Sequence, residues 1–250
     1  MIIELFGPPG SGKTTFARKL ATHVRATGRP VELILSLRPA EMTERSGDGR
    51  RTPQPLAALR RFTRPAAEFL ASAAHMNNAS SQTRIASELL DLLPSISCLW
   101  SLRSRLYITR LERAWRRVEQ SDATVIIDQG FVQAVGSLVL LGRAPTAEAI
   151  EAALARIPKA DQWIHVDAPR RVLSARLEAR RRRQRWSERL FELDTQTSLR
   201  SIEILNTLDS MLNSFAPSIV RIGPGENWLP RNLPGLTEGS GDATLRAHPL

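Results

Sequence analysis

The stretch that decides the fold is Ile2-Ile3-Glu4-Leu5-Phe6-Gly7-Pro8-Pro9-Gly10-Ser11-Gly12-Lys13-Thr14-Thr15, at the start of the 250-residue chain. Its first five residues make a short, mainly apolar run of strand character, closed at once by a Gly-Pro-Pro-Gly turn. Gly7, Gly12, Lys13 and Thr14 satisfy G-x-x-x-x-G-K-[ST], and Phe16-Ala17-Arg18-Lys19-Leu20-Ala21 opens a helical pattern directly afterwards. Strand, glycine loop and helix in that order are what a phosphate-cradling loop requires. Glycines let successive backbone N–H groups curl round an anion, and the helix N-terminus adds roughly half a positive charge. Gly7, Pro8, Pro9, Gly10, Ser11, Gly12, Lys13, Thr14 and Thr15 therefore read as a nucleotide-binding loop. Lys13 is placed to reach the β- and γ-phosphates, and the Thr14 hydroxyl to take a position on Mg2+. The chain has three lysines (Lys13, Lys19 and Lys159) beside thirty-two arginines. Lysine at position 13 suits a place that accepts a compact ammonium and not a planar guanidinium.

The length allows one sizeable domain, and 42% hydrophobic residues is ordinary for a globular chain. No run approaches the roughly 18 apolar residues of a membrane span. The sequence begins in a strand and not in a signal peptide, and it holds one cysteine, so a reducing, cytoplasmic setting is expected. Cys98 is expected to be a small buried residue. Four histidines and one cysteine form no zinc-ligand pattern. The net charge of +10 fits an anionic ligand or nucleic acid, but aromatic residues make up only 5% and do not interleave with the basic runs. The charge is read first as serving phosphates in a pocket and second as a nucleic-acid surface.

Along the chain, Thr15 to Thr27 is predicted as an amphipathic helix ended by Gly28, and Val31 to Leu35 as a second strand, giving a right-handed parallel βαβ unit. Ser36-Leu37-Arg38-Pro39 follows, which makes Arg38 a candidate acceptor-site cation. Residues 40–65 read as a mobile loop with a short helix, 66–93 as helical, and 96–120 as a long helix whose stripe of Leu99, Leu102, Leu106, Leu111, Trp115 and Val118 is expected to be core. Ala123 to Asp128 is a uniformly apolar strand ending in Asp128-Gln129-Gly130, as expected for a strand buried on both faces. An acidic residue at such a tip sits beside Mg2+ in phosphate-loop proteins. Asp128 can equally accept the proton of an attacking hydroxyl, and the sequence leaves both roles open. A helix over Phe131–Leu141, an alanine-rich helix over Ala147–Ile157 and a fourth strand over Asp161–Asp167 follow. His165 within that strand reads as structural.

The next helix starts near Arg170 and carries Arg176, Arg180, Arg181, Arg182, Arg183, Arg185 and Arg189 against Glu178 and Glu188. Arg176, Arg180 and Arg183 share one face. Such a concentration of like charge suits a lid over about 170–190 that closes on a polyphosphate and stabilises charge on the transferred group. Gln196 to Phe215 is a final amphipathic helix, either core or dimer seam, and Ser218–Ile222 a fifth strand before Gly223-Pro224-Gly225. The domain is expected to span 1–225, with 226–250 a disordered tail.

These pieces resemble the P-loop kinases of the nucleoside and nucleotide kinase group, most nearly thymidylate-kinase-like proteins. The resemblance rests on Gly7 to Thr15, on the Asp128 strand end, and on Val166-Asp167-Ala168-Pro169 leading into the Arg176/Arg180 helix. It implies an α/β/α three-layer P-loop fold with a five-stranded parallel sheet in the order 2-3-1-4-5 and an arginine-rich helical lid. It also implies ATP with Mg2+ and transfer of the γ-phosphoryl group to a small acceptor. Lys13, Asp128, Arg176 and Arg180 would be catalytic, Thr14 and Asp128 would hold the metal, and Arg38 and Gln129 would line the acceptor site. Thymidylate kinases follow their Asp with Arg where this chain has Gln129, and the segment after the second strand also departs. Both changes fall on the acceptor pocket and leave the acceptor unidentified. A different class, an ATPase or nucleotide-dependent regulatory switch with no small-molecule acceptor, shares the loop. Neither an Asn-Lys-x-Asp nor a Leu-Ser-Gly-Gly-Gln motif is present. The expected partners are a small-molecule acceptor and no membrane, in a monomer or homodimer.

Overall fold

The computed structural model describes residues 1–35, 84–183, 195–215 and 219–223. Arg38, the 40–65 loop, Arg185, Arg189, Pro224-Gly225 and the 226–250 tail lie outside these residues.

Five strands form one all-parallel sheet: β1 (Ile2–Phe6), β2 (Val31–Ile34), β3 (Thr124–Ile127), β4 (Gln162–Val166) and β5 (Ile219–Ile222), in the order β2-β3-β1-β4-β5. β1 is central, with Glu4 opposite Ile127 on one side and Trp163 on the other. β3 and β4 are buried along their whole length, as strands covered on both faces must be. The helices among the described residues are α1 (Lys13–Ala26), α2 (Arg84–Leu92), α3 (Cys98–Val118), α4 (Phe131–Leu141), α5 (Ala147–Arg156), α6 (Arg170–Arg183) and α7 (Thr195–Phe215). Thr146 caps α5 by accepting the Ala149 N–H, and Thr27 followed by Gly28 at φ 80° ends α1.

The period-2 alternation of β1 divides the core into two. Ile3 and Leu5 point to one face, where they join Phe16, Leu20, Val24 and Ile164 beneath α1. Phe6 points to the other, with Ile127, Phe131, Val135, Leu138, Leu205 and Leu208 beneath α3, α4 and α7. Burial of each such side chain contributes roughly 1.5–3 kcal/mol before entropy is counted. α7 packs against α4 through Leu205, Leu208 and Leu212, so of the two readings of this helix the core one holds for these residues. Gly136 permits the approach, since a Cβ there would lie 2.9 Å from Leu205 Cδ2.

Two expectations for α3 are corrected. Its buried residues are Ser104, Ile108, Leu111, Glu112, Ala114, Trp115 and Val118, whereas Leu99 is 62% exposed. Among the described residues the first turns of the helix run beyond its packing partners, so the apolar stripe is core only from about Ser104 onward. Cys98, at the first position of α3, is exposed and not buried, for the same reason. His165 is structural in placement: it is buried, stacked on Phe6 at 4.7 Å, and 3.6 Å from Asp209. Burial pushes its imidazole below the usual histidine value despite Asp209 and Asp167.

Candidate nucleotide site

The loop between β1 and α1 has the backbone that its glycines predict. Gly7, Gly10 and Gly12 have φ of 148°, 87° and 104°. At Gly7 a side chain is barred twice, because a Cβ would also lie 2.1 Å from the Val166 carbonyl oxygen at the end of β4. Gly12 is the left-handed N-cap of α1, and no side chain caps that helix. Its first N–H groups are therefore presented to the loop's interior, where an anion is their natural partner. Ser11 Oγ is buried with no hydrogen-bond partner among the described residues, a donor that a phosphate oxygen would satisfy.

Lys13 is only 6% exposed. Its ammonium donates to the carbonyls of Gly7 at 2.6 Å and Pro8 at 3.0 Å, which holds it inside the curl of the loop. Burial pushes its pKa down to about 8, with Asp128 opposing and Arg180 reinforcing the shift. Thr14 Oγ1 donates to Asp128 Oδ2 at 2.8 Å, and Asp128 is 0% exposed. A hydroxyl from the loop and a carboxylate from the tip of β3, 114 residues apart, thus meet at one point. Both are hard oxygen donors, the chemistry that suits Mg2+ together with phosphate oxygens and water. Thr14 and Asp128 fit that ion; among the described residues no cluster of three His, Cys, Asp or Glu forms a metal site.

Arg176, on α6, donates through Nη1 to the carbonyls of Gly10 at 2.8 Å and Ser11 at 3.3 Å, so this helix is fastened to the phosphate loop. Arg180, one turn on, is close enough to influence Lys13. Of the three arginines that share a face in the sequence, Arg176 is bonded to the loop and Arg180 lies near enough to act on Lys13. Gln129 presents its main chain to α3: its carbonyl accepts from the Tyr107 hydroxyl at 3.1 Å. Gly130 takes the N-cap of α4, two residues after Asp128.

Three residues around the site escape a reading of the sequence. Glu4, on β1, is fully buried, and its Oε1 accepts the Val132 N–H at 2.7 Å. Gln133 Oε1 accepts the Gly7 N–H at 3.2 Å. Tyr107 is the chain's one tyrosine. The available signal was weak but real: an acidic residue inside an apolar strand is rarely idle.

The sheet order, the loop between its central strand and α1, and the Thr14–Asp128 pair define a P-loop α/β fold. No protein-family model matches the chain, and no curated protein matches it. Among solved structures it is similar to deoxyadenosine kinase from M. mycoides with products dCMP and a flexible dCDP bound, at 10% identity, covering 89% of this chain and 90% of that one, TM-score 0.47. It is similar also to the same kinase with bound dATP (11% identity, 89% and 90% covered, TM-score 0.46) and with bound dCTP (11%, 89% and 90%, TM-score 0.42). At that distance the functional reading rests on the residues of the site.

Proposed function

We propose that this protein is an ATP-dependent phosphotransferase that moves the γ-phosphoryl group to a small-molecule hydroxyl, with a nucleoside or nucleotide as the acceptor class. The observation that carries the reading is the 2.8 Å bond between Thr14 and the buried Asp128, set beside an ammonium enclosed by the loop. In the reaction the acceptor hydroxyl oxygen attacks the γ-phosphorus, the bond to the β–γ bridging oxygen breaks, ADP leaves, and the hydroxyl proton passes to solvent. The loop amides and Lys13 bind and neutralise the triphosphate, which restricts it to a productive position. Arg180, on the loop-facing side of α6, meets charge as it develops on the transferred group, while Arg176 fixes α6 to the loop. Thr14 and Asp128 would hold Mg2+, whose chemistry when bound would be to withdraw charge from the phosphates. The bond from Thr14 favours a metal-linked role for Asp128 over that of proton acceptor. Arg38 and the Gln129 side chain are assigned to the acceptor side of the site.

The test is ATP consumption by the full chain with Mg2+, alone and with pools of nucleosides, nucleotides, sugars and other hydroxyl compounds. Strong stimulation by one pool, lost in Lys13→Ala, supports the phosphotransferase. A slow rate indifferent to every pool would instead favour an ATPase or nucleotide switch. Turnover unchanged in Lys13→Ala would remove the site from the reaction altogether.

A further inference from the structure

We propose that Glu4 and Gln133 are positioning residues that lock the first turn of α4 to β1, and so hold the Asp128 carboxylate in register with the phosphate loop. This rests on the phosphotransferase reading above. The two bonds cross. Glu4, in the strand, accepts the N–H of Val132 in the helix at 2.7 Å; Gln133, the next residue of the helix, accepts the N–H of Gly7 at the start of the loop at 3.2 Å. The strand and loop that carry the phosphate-binding groups are therefore tied to the helix that begins two residues after Gln129. Asp128 lies on the segment between, and its carboxylate meets Thr14. The Asp128 N–H is held by the Ile34 carbonyl at 3.1 Å, so a shift of α4 relative to β1 would turn the carboxylate against Thr14 about a held main chain, and the crossed bonds keep that distance.

Packing supports the same assignment. Gly130, between Asp128 and α4, lies against the Glu4 side chain, and a Cβ there would stand 2.4 Å from Glu4 Cδ and 2.6 Å from Oε1. The turn can approach Glu4 this closely only with glycine at 130. The opposite side of the turn is held by α3, through Tyr107 and the Gln129 carbonyl.

A role in packing alone does not account for Glu4. A carboxyl at 0% exposure is costly, and among the described residues its second oxygen, Oε2, has no well-formed hydrogen bond, although the Trp163 indole is close enough to favour the charged form. Burial nonetheless dominates and pushes the carboxyl up to about 8, so at neutral pH it is mostly the uncharged acid. Leucine would fill the strand position without this cost but would accept nothing from Val132. Glutamine would keep both the shape and the acceptor.

The experiment compares Glu4→Leu, Glu4→Gln, Gln133→Leu and the Glu4→Leu/Gln133→Leu pair in the full chain. It measures kcat, the KM for ATP, the melting temperature and amide hydrogen exchange at Val132. A loss of alignment of this kind costs roughly tenfold to a hundredfold in rate. Glu4→Leu is expected to lose that much kcat with KM for ATP held within threefold and with faster exchange at Val132; Glu4→Gln is expected to restore most of the rate. Gln133→Leu, at a half-buried position, gives the same kcat-selective loss even if Glu4→Leu fails to fold, and the paired variant loses less than the product of the two single losses. Equal changes in kcat and KM, a Glu4→Gln protein as slow as Glu4→Leu, or normal kcat with accelerated exchange would each overturn the proposal. If the wild-type protein transfers no phosphoryl group to any acceptor, the phosphotransferase reading falls by itself. The tether is then judged by the gain in nucleotide affinity on adding Mg2+, and an unchanged gain in Gln133→Leu overturns it.

Discussion

Replacing Thr14 by valine isolates the contact on which the functional reading rests. Valine matches threonine in shape and in β-branching, so α1 keeps its local preferences and the site keeps its volume. What is lost is one O–H donor to Asp128 Oδ2, at 2.8 Å between a half-buried hydroxyl and a fully buried carboxylate. A hydrogen bond to a charged group contributes about 1.5–3 kcal/mol. For a chain of this length each kcal/mol moves the melting temperature by about 2–4 °C, so Thr14→Val should melt about 3–12 °C lower by calorimetry. The same hydroxyl is assigned to Mg2+, and loss of a supporting group at a metal costs roughly 10–100-fold in metal affinity. Half-maximal ATP turnover in Thr14→Val should therefore need roughly 10–100 times more Mg2+, and Thr14→Ser, which keeps the hydroxyl, should recover most of it. A valine protein with unaltered melting and an unaltered Mg2+ requirement would refute both the energetic and the functional assignment of this pair.

Other consequences can be checked independently. Because burial lowers Lys13 to about 8, the ammonium is intact below that pH and is lost above it; nucleotide affinity should fall roughly tenfold per pH unit beyond about 8, and a flat profile from pH 7 to 9.5 by calorimetric titration would contradict this. The sign for folding is opposite: the cost of burying the charged Lys13 is present in full below about 8 and is relieved as the pH rises toward the unfolded value of 10.5, so acid-to-alkaline scans of the unliganded chain should show its contribution becoming less unfavourable. Arg180→Ala should lower kcat by roughly 100-fold with nucleotide affinity nearly unchanged, whereas Arg176→Ala, which removes two bonds to loop carbonyls, should weaken nucleotide binding as well; identical kinetic profiles for the two would argue against separate roles. Gly7→Ala places a Cβ against the Val166 carbonyl at a positive φ and should destabilise the chain by roughly 1–3 kcal/mol or more in denaturant titration, with wild-type stability as the contrary result.

What could be read from the sequence was whatever depends on neighbours in the chain. The strand, glycine turn and helix of residues 2–26 are one continuous signal, and α4 begins and ends at Phe131 and Leu141 as its pattern and flanking glycines indicate. Asp128 was legible because its position at the tip of an apolar strand has a local signature. The pairing order of the strands has none, and it came only with the family resemblance before the sheet bore it out. Glu4, Gln133 and Tyr107 were missed because each acts on a residue far off in the chain, Gln133 on a glycine 126 positions away. The α3 stripe was misread for a related reason. Periodicity says which residues of a helix share a face, but not how far along the helix that face stays covered, and Leu99 lies beyond the covered part.

Cys98 is the chain's one cysteine, it is exposed, and it opens the helix that carries Tyr107. The wild-type protein thus comes with a single natural attachment point for a maleimide fluorophore or a nitroxide spin label, with no background thiols to remove. A probe there sits at one end of α3, whose middle is bonded to the turn that follows Asp128. Binding of the proposed nucleotide and acceptor can then be tested spectroscopically, without any turnover at all.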